Sequence, residues 1–96
     1  MEQVTKGVAK YFKTTEKKLR TVNKGPTKGN EARKLAMYLC QELSGGTLRE
    51  IAEYFGLKHI GSVSFITHQI RNEKQENRQF DKTLGLVVDY IMKQVT

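Results

Sequence analysis

The 96-residue sequence contains no tryptophan, one cysteine and one proline, and these scarcities exclude several classes of protein. The lone Cys40 cannot form an internal disulfide, which argues against a disulfide-stabilised secreted scaffold and favours a reducing cytoplasm. No apolar run approaches the roughly 20 residues of a membrane helix, and the N-terminus lacks the apolar core of a signal peptide. We therefore expect no membrane partner.

Length and apolar spacing predict a single all-α domain over residues 1–96. A chain of this size buries roughly two thirds of its unfolded surface, which is enough for one modest core. Alternating apolar patterns are short, so strands are not expected, and the pattern indicates a compact bundle of about six helices. Thr15 and Asn30 are predicted to cap the second and third helices. The polar segment 72–78 is predicted to break or bend the chain before a last helix.

The third helix is predicted to bury one apolar stripe at helical spacing. Its members are Leu35, Ala36, Leu39, Cys40 and Leu43. In this setting Cys40 is better read as a small buried hydrophobe than as a nucleophile.

Residues 47–71 are the most informative stretch because they predict two short helices joined at a glycine. Thr47 and Glu50 have the spacing of a capping box, and Gly56 can adopt the positive φ that ends a helix. The predicted buried positions are Leu48, Ile51, Ala52 and Phe55 on the first helix and Val63, Ile66 and Ile70 on the second. Facing outward on a recognition helix of about 61–73 are then Gly61, Ser62, Ser64, Phe65, His68 and Arg71. This is the layout of a helix-turn-helix, although an ordinary helical hairpin shares the pattern.

The positive charge is concentrated in the first third of the chain. The sequence carries 17 Lys and Arg against 10 Asp and Glu, a formal net charge of +7. Residues 1–35 hold ten basic against three acidic residues, whereas residues 36–96 hold seven of each sign. Such a field attracts a polyanion and gains free energy from counterion release. A helix kept basic for solubility is the alternative interpretation.

The run from Ala36 to Ile70 resembles the C-terminal DNA-binding domain of the bacterial replication initiator DnaA. The shared features are an apolar helix ending in Glu-Leu, then Leu-x-x-Ile, Phe-Gly, and a Ser-Val step that opens the recognition helix. The turn from Gly56 to Val63 is one residue longer than in the common repressor type, and the upstream run VAKYFKTTEKKLRT is similar to the first two helices of that domain. The resemblance implies a Trp-repressor-like fold whose basic loop and recognition helix bind one DNA site.

The turn departs from the initiator's pattern. Initiators carry Asp-His-Thr-Thr-Val there, whereas this chain has His59-Ile60-Gly61-Ser62-Val63, so we do not expect it to recognise the initiator's own origin boxes. The sequence FGLKHIGSVS is more similar to that of the DnaA-like domain at the C-terminus of some REP-associated tyrosine transposases. That resemblance implies the DNA-targeting module of a transposase-like protein, in the bacterial cytoplasm with the nucleoid. An origin binder of the replication-initiator type is the alternative.

We predict binding to double-stranded DNA with some sequence preference. The recognition helix would enter the major groove, and a basic loop at residues 20–30 would contact the backbone or the minor groove. The predicted DNA-binding residues are Lys24, Lys28, Arg33, Lys34, Thr47, Arg49, Lys58, His59, Gly61, Ser62, Ser64, Phe65, His68 and Arg71. Three of them have a structural alternative. His59 could cap the recognition helix, His68 could be a solvated surface histidine, and Phe65 could pack in the core instead of contacting a thymine methyl group.

No catalytic arrangement of residues is found, so the chain is not expected to be an enzyme or to hold a cofactor, a metal ion or a small-molecule substrate. The nuclease part of the transposase family carries a His-x-His metal motif, whereas the two histidines here are nine residues apart. The alternative function is a protein-interaction module, in which the basic N-terminal helices bind an acidic partner or the rest of a larger polypeptide. The last helix could add a homodimer face through Leu84, Val88, Ile91 and Val95. Burial of Phe80 and Leu84 within the monomer would argue against it.

Overall fold

Six helices account for most of the described backbone, which in this computed structural model comprises residues 2–20 and 29–95. In chain order they are α1 (Glu2–Tyr11), α2 (Glu16–Arg20), α3 (Gly29–Ser44), α4 (Leu48–Tyr54), α5 (Ile60–Glu76) and α6 (Arg78–Val95). No strand occurs in these two ranges. The prediction of an all-α bundle of about six helices is confirmed. Lys24 and Lys28 of the predicted basic loop lie outside the described residues.

Helix α1 ends in a turn that places a lysine in the left-handed region. Lys13 has φ +57°, and its amide donates to the Lys10 carbonyl at 3.2 Å while the Thr14 amide donates to the Ala9 carbonyl at 2.8 Å. This pair of bonds is a Schellman motif, which usually carries glycine at the left-handed position. The next helix starts two residues later, where the Lys18 amide donates to the Thr15 hydroxyl at 3.2 Å, so the predicted cap at Thr15 is confirmed.

Helix α3 lies at the centre of the molecule and packs against α1, α2, α4 and α5. Most of the predicted stripe is buried, including Cys40, whose thiol lies 3.8 Å from the Thr5 hydroxyl. Burial raises the pKa of the Cys40 thiol. Leu43 is a correction, because it is 38% exposed in the last turn of the helix, where the core no longer covers it. Asn30 is a second correction, since the helix already begins at Gly29 and Asn30 is therefore inside it.

Helix α5 is longer than predicted. The recognition helix is predicted to end near residue 73, whereas α5 continues to Glu76. The break predicted within residues 72–78 is present at Asn77, with φ −124° and ψ 103°. The Asn77 side chain then accepts a hydrogen bond from the Phe80 amide at 3.2 Å and so caps α6. A polar segment with no glycine or proline can remain helical when it lies on the surface, and residues 72–76 are all exposed.

Helix α6 closes the core by packing against α1 and α5. Leu84, Val87 and Ile91 are buried, and Phe80 packs partly buried against the same cluster. Gly7 allows the close approach of α1, because a Cβ at that position would lie 2.7 Å from Cγ1 of Ile91. The apolar face of α6 is thus largely used within the monomer. Among the described residues, none of the helices has the length and apolar composition of a membrane span.

Candidate nucleic-acid interface

The first helix of the predicted helix-turn-helix begins at the capping box that its sequence specifies. The Glu50 amide donates to the Thr47 hydroxyl at 3.1 Å, and the Thr47 amide donates to the Glu50 carboxylate at 3.0 Å. These hydrogen bonds hold the pKa of the Glu50 carboxyl below its ordinary value, because they favour the charged form. Thr47 is exposed and has a structural role, so its predicted DNA contact stays a prediction.

The turn between the two helices is fixed by Gly56. Its φ of +70° lies in the left-handed region that favours glycine. The Leu57 amide donates to the Ala52 carbonyl at 2.8 Å, and the Gly56 amide donates to the Glu53 carbonyl at 3.2 Å. This second Schellman motif ends α4 and directs the chain into α5, as the sequence predicted.

Helix α5 presents one buried and one exposed face. Val63 and Ile70 are buried and Ile66 is partly buried, as predicted. The predicted outward residues are all exposed, namely Gly61, Ser62, Ser64, Phe65, His68 and Arg71. Phe65 is 68% exposed, so the interpretation of this residue as part of the core is wrong. Thr67 was missed, since it is buried and satisfies its hydroxyl by donating to the Ser64 carbonyl at 3.1 Å.

His59 occupies the N-cap position of α5 but does not cap it with its side chain. Its backbone is extended, with φ −124° and ψ 130°, and the side chain makes no capping hydrogen bond. The side chain is exposed. The capping alternative for His59 is therefore wrong, and its contact with DNA stays a prediction.

Arg33 is a correction to the predicted interface, because it lies in the interior. It is 8% exposed. Its Nε donates to the Leu19 carbonyl at 3.0 Å, and its Nη2 donates to the Phe55 carbonyl at 2.5 Å. These are carbonyls at the ends of α2 and α4, which lack partners within their own helices and attract a cation. Burial lowers the pKa of the guanidinium. The sequence carries a signal for this position, since Arg33 precedes Ala36 by one helical turn on the buried stripe.

A second arginine, which the sequence analysis did not single out, holds the same helix end. Nε of Arg20 donates to the Tyr54 carbonyl at 2.9 Å, and its guanidinium carbon lies 4.1 Å from the centre of the Tyr54 ring. We call Arg20 and Arg33 the arginine clamp. The clamp ties the end of α4 to α2, from which the chain enters residues 21–28. It therefore fixes where that segment starts relative to the helix-turn-helix.

The other predicted basic contacts differ in their surroundings. Lys34 on α3 is half-buried, whereas Arg49 on α4 and Lys58 in the turn are exposed. Arg71 is exposed but already engaged, because its Nη2 lies 3.2 Å from the Glu42 carboxylate and 3.0 Å from the Gln41 side-chain oxygen. A surface ion pair of this kind is weak, so it leaves Arg71 available to a phosphate. For all four residues, DNA contact stays a prediction.

The outward face of α5 carries no acidic residue from its start to Asn72, and Glu73 and Glu76 are exposed in its last turn. The sequence from residue 54 to residue 72 contains no Asp or Glu. Two exposed amides, Gln69 and Asn72, continue the face at helical spacing from Phe65 and were missed, although that spacing was available in the sequence. Side-chain amides of this kind can donate to and accept from a base edge. Among the residues that the structure describes, no group of three or more His, Cys, Asp and Glu side chains could hold a metal ion.

Comparison with known proteins agrees with this arrangement. The family model described as bacterial dnaA protein helix-turn-helix matches residues 1–71. Among curated proteins, the chromosomal replication initiator protein DnaA of Aquifex aeolicus is 31% identical over 85 residues, which are 88% of this chain and 21% of that protein. The protein of the same name from Thermodesulfovibrio yellowstonii is 36% identical over 67 residues, which are 70% of this chain and 14% of that protein.

A third relative gives the same picture. The chromosomal replication initiator protein DnaA of Mycobacteroides abscessus is 38% identical over 74 residues, which are 74% of this chain and 14% of that protein. The chain therefore spans about one fifth or less of the length of these curated relatives.

Proposed function

Because the chain belongs to the bacterial DnaA helix-turn-helix family, we propose that it binds double-stranded DNA, with the outward face of α5 in the major groove. The observation that carries this proposal is the division of α5 into a buried face and an exposed face that carries no acidic residue before Glu73. A recognition helix must present small, polar or apolar side chains to base edges without repelling the phosphates. The face of α5 meets both requirements.

Backbone contacts would come from the exposed basic residues around this face and from the segment between α2 and α3. Together with the α5 face, the proposed DNA-binding residues are those predicted from the sequence, without Arg33: Lys24, Lys28, Lys34, Thr47, Arg49, Lys58, His59, Gly61, Ser62, Ser64, Phe65, His68 and Arg71. The arginine clamp supports the inclusion of Lys24 and Lys28, because it ties α2, which precedes them, to the end of α4. Residues 21–28 would then contact the backbone or the minor groove beside the groove that α5 enters.

More specifically, we propose that the domain is the DNA-targeting module of a transposase-like protein and acts at the bacterial nucleoid with some sequence preference. What supports this is the run His59-Ile60-Gly61, which replaces the initiator's pattern at the start of the recognition helix. The alternative of a replication-initiator-type origin binder rests on the matched relatives, which are initiators by name. Selection of preferred duplexes from a random library would separate the two, because an origin binder should recover the initiator's boxes.

Dimerisation through α6 is the less favoured function. Leu84 and Ile91 of the predicted dimer stripe are buried within the chain, and Val88 is partly buried. A homodimer built on that stripe would require these side chains to leave the core, so we favour DNA as the partner of this domain.

The experiment that tests DNA binding is a titration of the chain into labelled duplex at several salt concentrations, followed by fluorescence anisotropy. About five to six phosphate contacts should give a slope of log K against log salt near −5. Replacing both Ser62 and Ser64 with glutamate should weaken binding by several kcal/mol, on the order of two close like-charge contacts. A flat salt response would overturn the proposal.

A matched control separates the α5 face from a general charge effect. Gln3 and Gln79 are exposed on α1 and α6, and replacing both with glutamate makes the same change in net charge. This control should reduce affinity much less than the serine double variant, with helix content unchanged in both by circular dichroism. Equal losses in the two variants would show that no particular face of the chain carries the binding.

A further inference from the structure

Phe65 is the most exposed of the large apolar side chains on the described surface, and it lies on the outward face of α5. It is 68% exposed, compared with 60% for Leu86 on α6. Exposure of an aromatic ring is unfavourable in water, and the fold gains no core packing from this ring. The ring has polar or small neighbours on its own face, where Gly61 lies one turn before it and Gln69 one turn after it.

Gly61 has no structural reason to be glycine. It lies in the first turn of α5 and its φ is not positive, and a Cβ added there would meet no heavy atom within 4 Å. Glycine in a helix lowers stability relative to alanine. An open glycine in such a position leaves the backbone accessible to a close neighbour. The fold supplies no such neighbour, so the open backbone at Gly61 is available to a bound molecule.

We define the notch as the position without a Cβ at Gly61 together with the exposed Phe65 ring one helical turn after it. Positions four apart on a helix are neighbours, roughly 5 to 6 Å apart at their Cβ atoms. We propose that this notch receives the 5-methyl group of a thymine in the major groove and so reads a T·A pair. The inference rests on the proposed function, and it adds one specific base to the DNA that α5 would bind.

The thymine methyl is the one apolar group that a T·A pair presents in the major groove, and apolar side chains such as phenylalanine recognise it. The surroundings of the notch favour DNA over a protein partner. The face has no acidic residue between positions 54 and 72 and carries His59, His68 and the exposed Lys58. An exposed aromatic ring on a stretch without acidic residues can reach the floor of the major groove without bringing a negative charge close to the two phosphate backbones.

The test begins with the preferred duplex selected by the full 96-residue chain from a random library. Each thymine of that duplex is then replaced singly by deoxyuridine, which removes only the methyl group. At one or two positions the affinity should fall about fourfold, as expected for one methyl group withdrawn from an apolar contact. Phe65→Ala should weaken binding to the thymine duplex by at least that factor and should abolish the difference between thymine and deoxyuridine there.

The glycine half of the notch has a separate readout. Gly61→Ala should keep or raise the midpoint of urea unfolding and yet weaken binding to the selected duplex, because the new methyl group enters the space reserved for the base. Gly85 is the matched control, since it is also helical, lies on α6 and has open space at its Cβ position. Gly85→Ala should raise the unfolding midpoint and leave affinity unchanged, and so should leave the deoxyuridine pattern unchanged.

Each contrary outcome has a defined meaning. Binding that is insensitive to deoxyuridine, or sensitivity that persists in Phe65→Ala, would overturn the notch while leaving DNA binding intact. A chain that binds no duplex would overturn the proposed function and the notch with it. 5-Methylcytosine carries the same methyl group, so a duplex with every cytosine methylated is the remaining arm. Tighter binding there without deoxyuridine sensitivity would assign the notch to 5-methylcytosine and overturn its assignment to thymine.

Discussion

Replacing Arg33 with methionine tests whether this side chain serves the fold or the DNA interface. Methionine retains the length and the aliphatic packing of arginine but removes both hydrogen bonds, to the Leu19 and Phe55 carbonyls. Hydrogen bonds to a charged group contribute about 1.5 to 3 kcal/mol each. Taking the lower value for each of the two bonds, we expect a loss of about 3 kcal/mol.

The assay is urea unfolding followed by circular dichroism. With a slope of about 1.5 kcal/mol per M, a loss of about 3 kcal/mol lowers the midpoint by roughly 2 M. Arg49→Met is the matched control, because Arg49 is exposed on α4 and its replacement should change stability by less than about 0.5 kcal/mol. In DNA titrations we expect the larger effect from Arg49→Met. Arg49→Met should lower the salt slope by about one, and folded Arg33→Met should leave it unchanged.

The opposite pattern would refute this assignment of Arg33. Suppose that Arg33→Met unfolded at the same urea concentration as the native chain and lowered the salt slope by one. Arg33 would then be a phosphate contact, and its side chain would not be buried in the DNA-free chain. Arg33→Lys gives a graded result, since an ammonium group keeps the charge but lacks the fork that reaches two carbonyls at once. Its stability should lie between those of the native chain and Arg33→Met.

Three further predictions concern the helices themselves. Gly7→Ala should lower the Tm, because overpacking against Ile91 Cγ1, 2.7 Å from the new Cβ, costs about 1 to 3 kcal/mol and exceeds the gain of up to about 1 kcal/mol from helix propensity; a raised Tm would contradict the close packing of α1 on α6. Lys13→Gly should stabilise the chain by roughly 0.5 to 1 kcal/mol in urea unfolding, because it relieves a φ of +57°, and a destabilised variant would show that this φ is not strained. The bonds to Thr47 lower the pKa of Glu50. The contribution of Glu50 to stability should therefore be present above pH 4.5 and be lost as the pH falls through the lowered pKa. In Glu50→Gln, thermal unfolding measured as a function of pH should lack that part of the acid dependence.

Features set by neighbouring residues could be predicted from the sequence. The capping box of Thr47 and Glu50 and the left-handed Gly56 depend on residue types a few positions apart, and both are present. The outward face of α5 follows from helical spacing alone, because the buried Val63 and Ile70 fix the opposite side. In these cases the local pattern and the tertiary packing favour the same conformation.

Features set by distant parts of the chain could not be predicted in this way. Arg33 was counted with the surface charges, since a charge count does not show that carbonyls from α2 and α4 meet beside it. The length of α5 was underestimated because a polar composition is compatible with a loop and with an exposed helix alike, and only the cap at Asn77 decides where it ends. Thr67 was missed for a different, local reason: its hydroxyl donates to the Ser64 carbonyl of its own helix, and a polar side chain satisfied in this way can be buried.

The packing of α6 sets a limit on how this helix-turn-helix can be transplanted. The family match ends at residue 71, yet Leu84, Val87 and Ile91 supply one wall of the core, and Gly7 is shaped to receive Ile91. A fragment cut at residue 71 would leave the inner side of α1 open to water and prone to self-association. A fusion that borrows this module must carry the chain through Ile91, twenty residues past the last matched position.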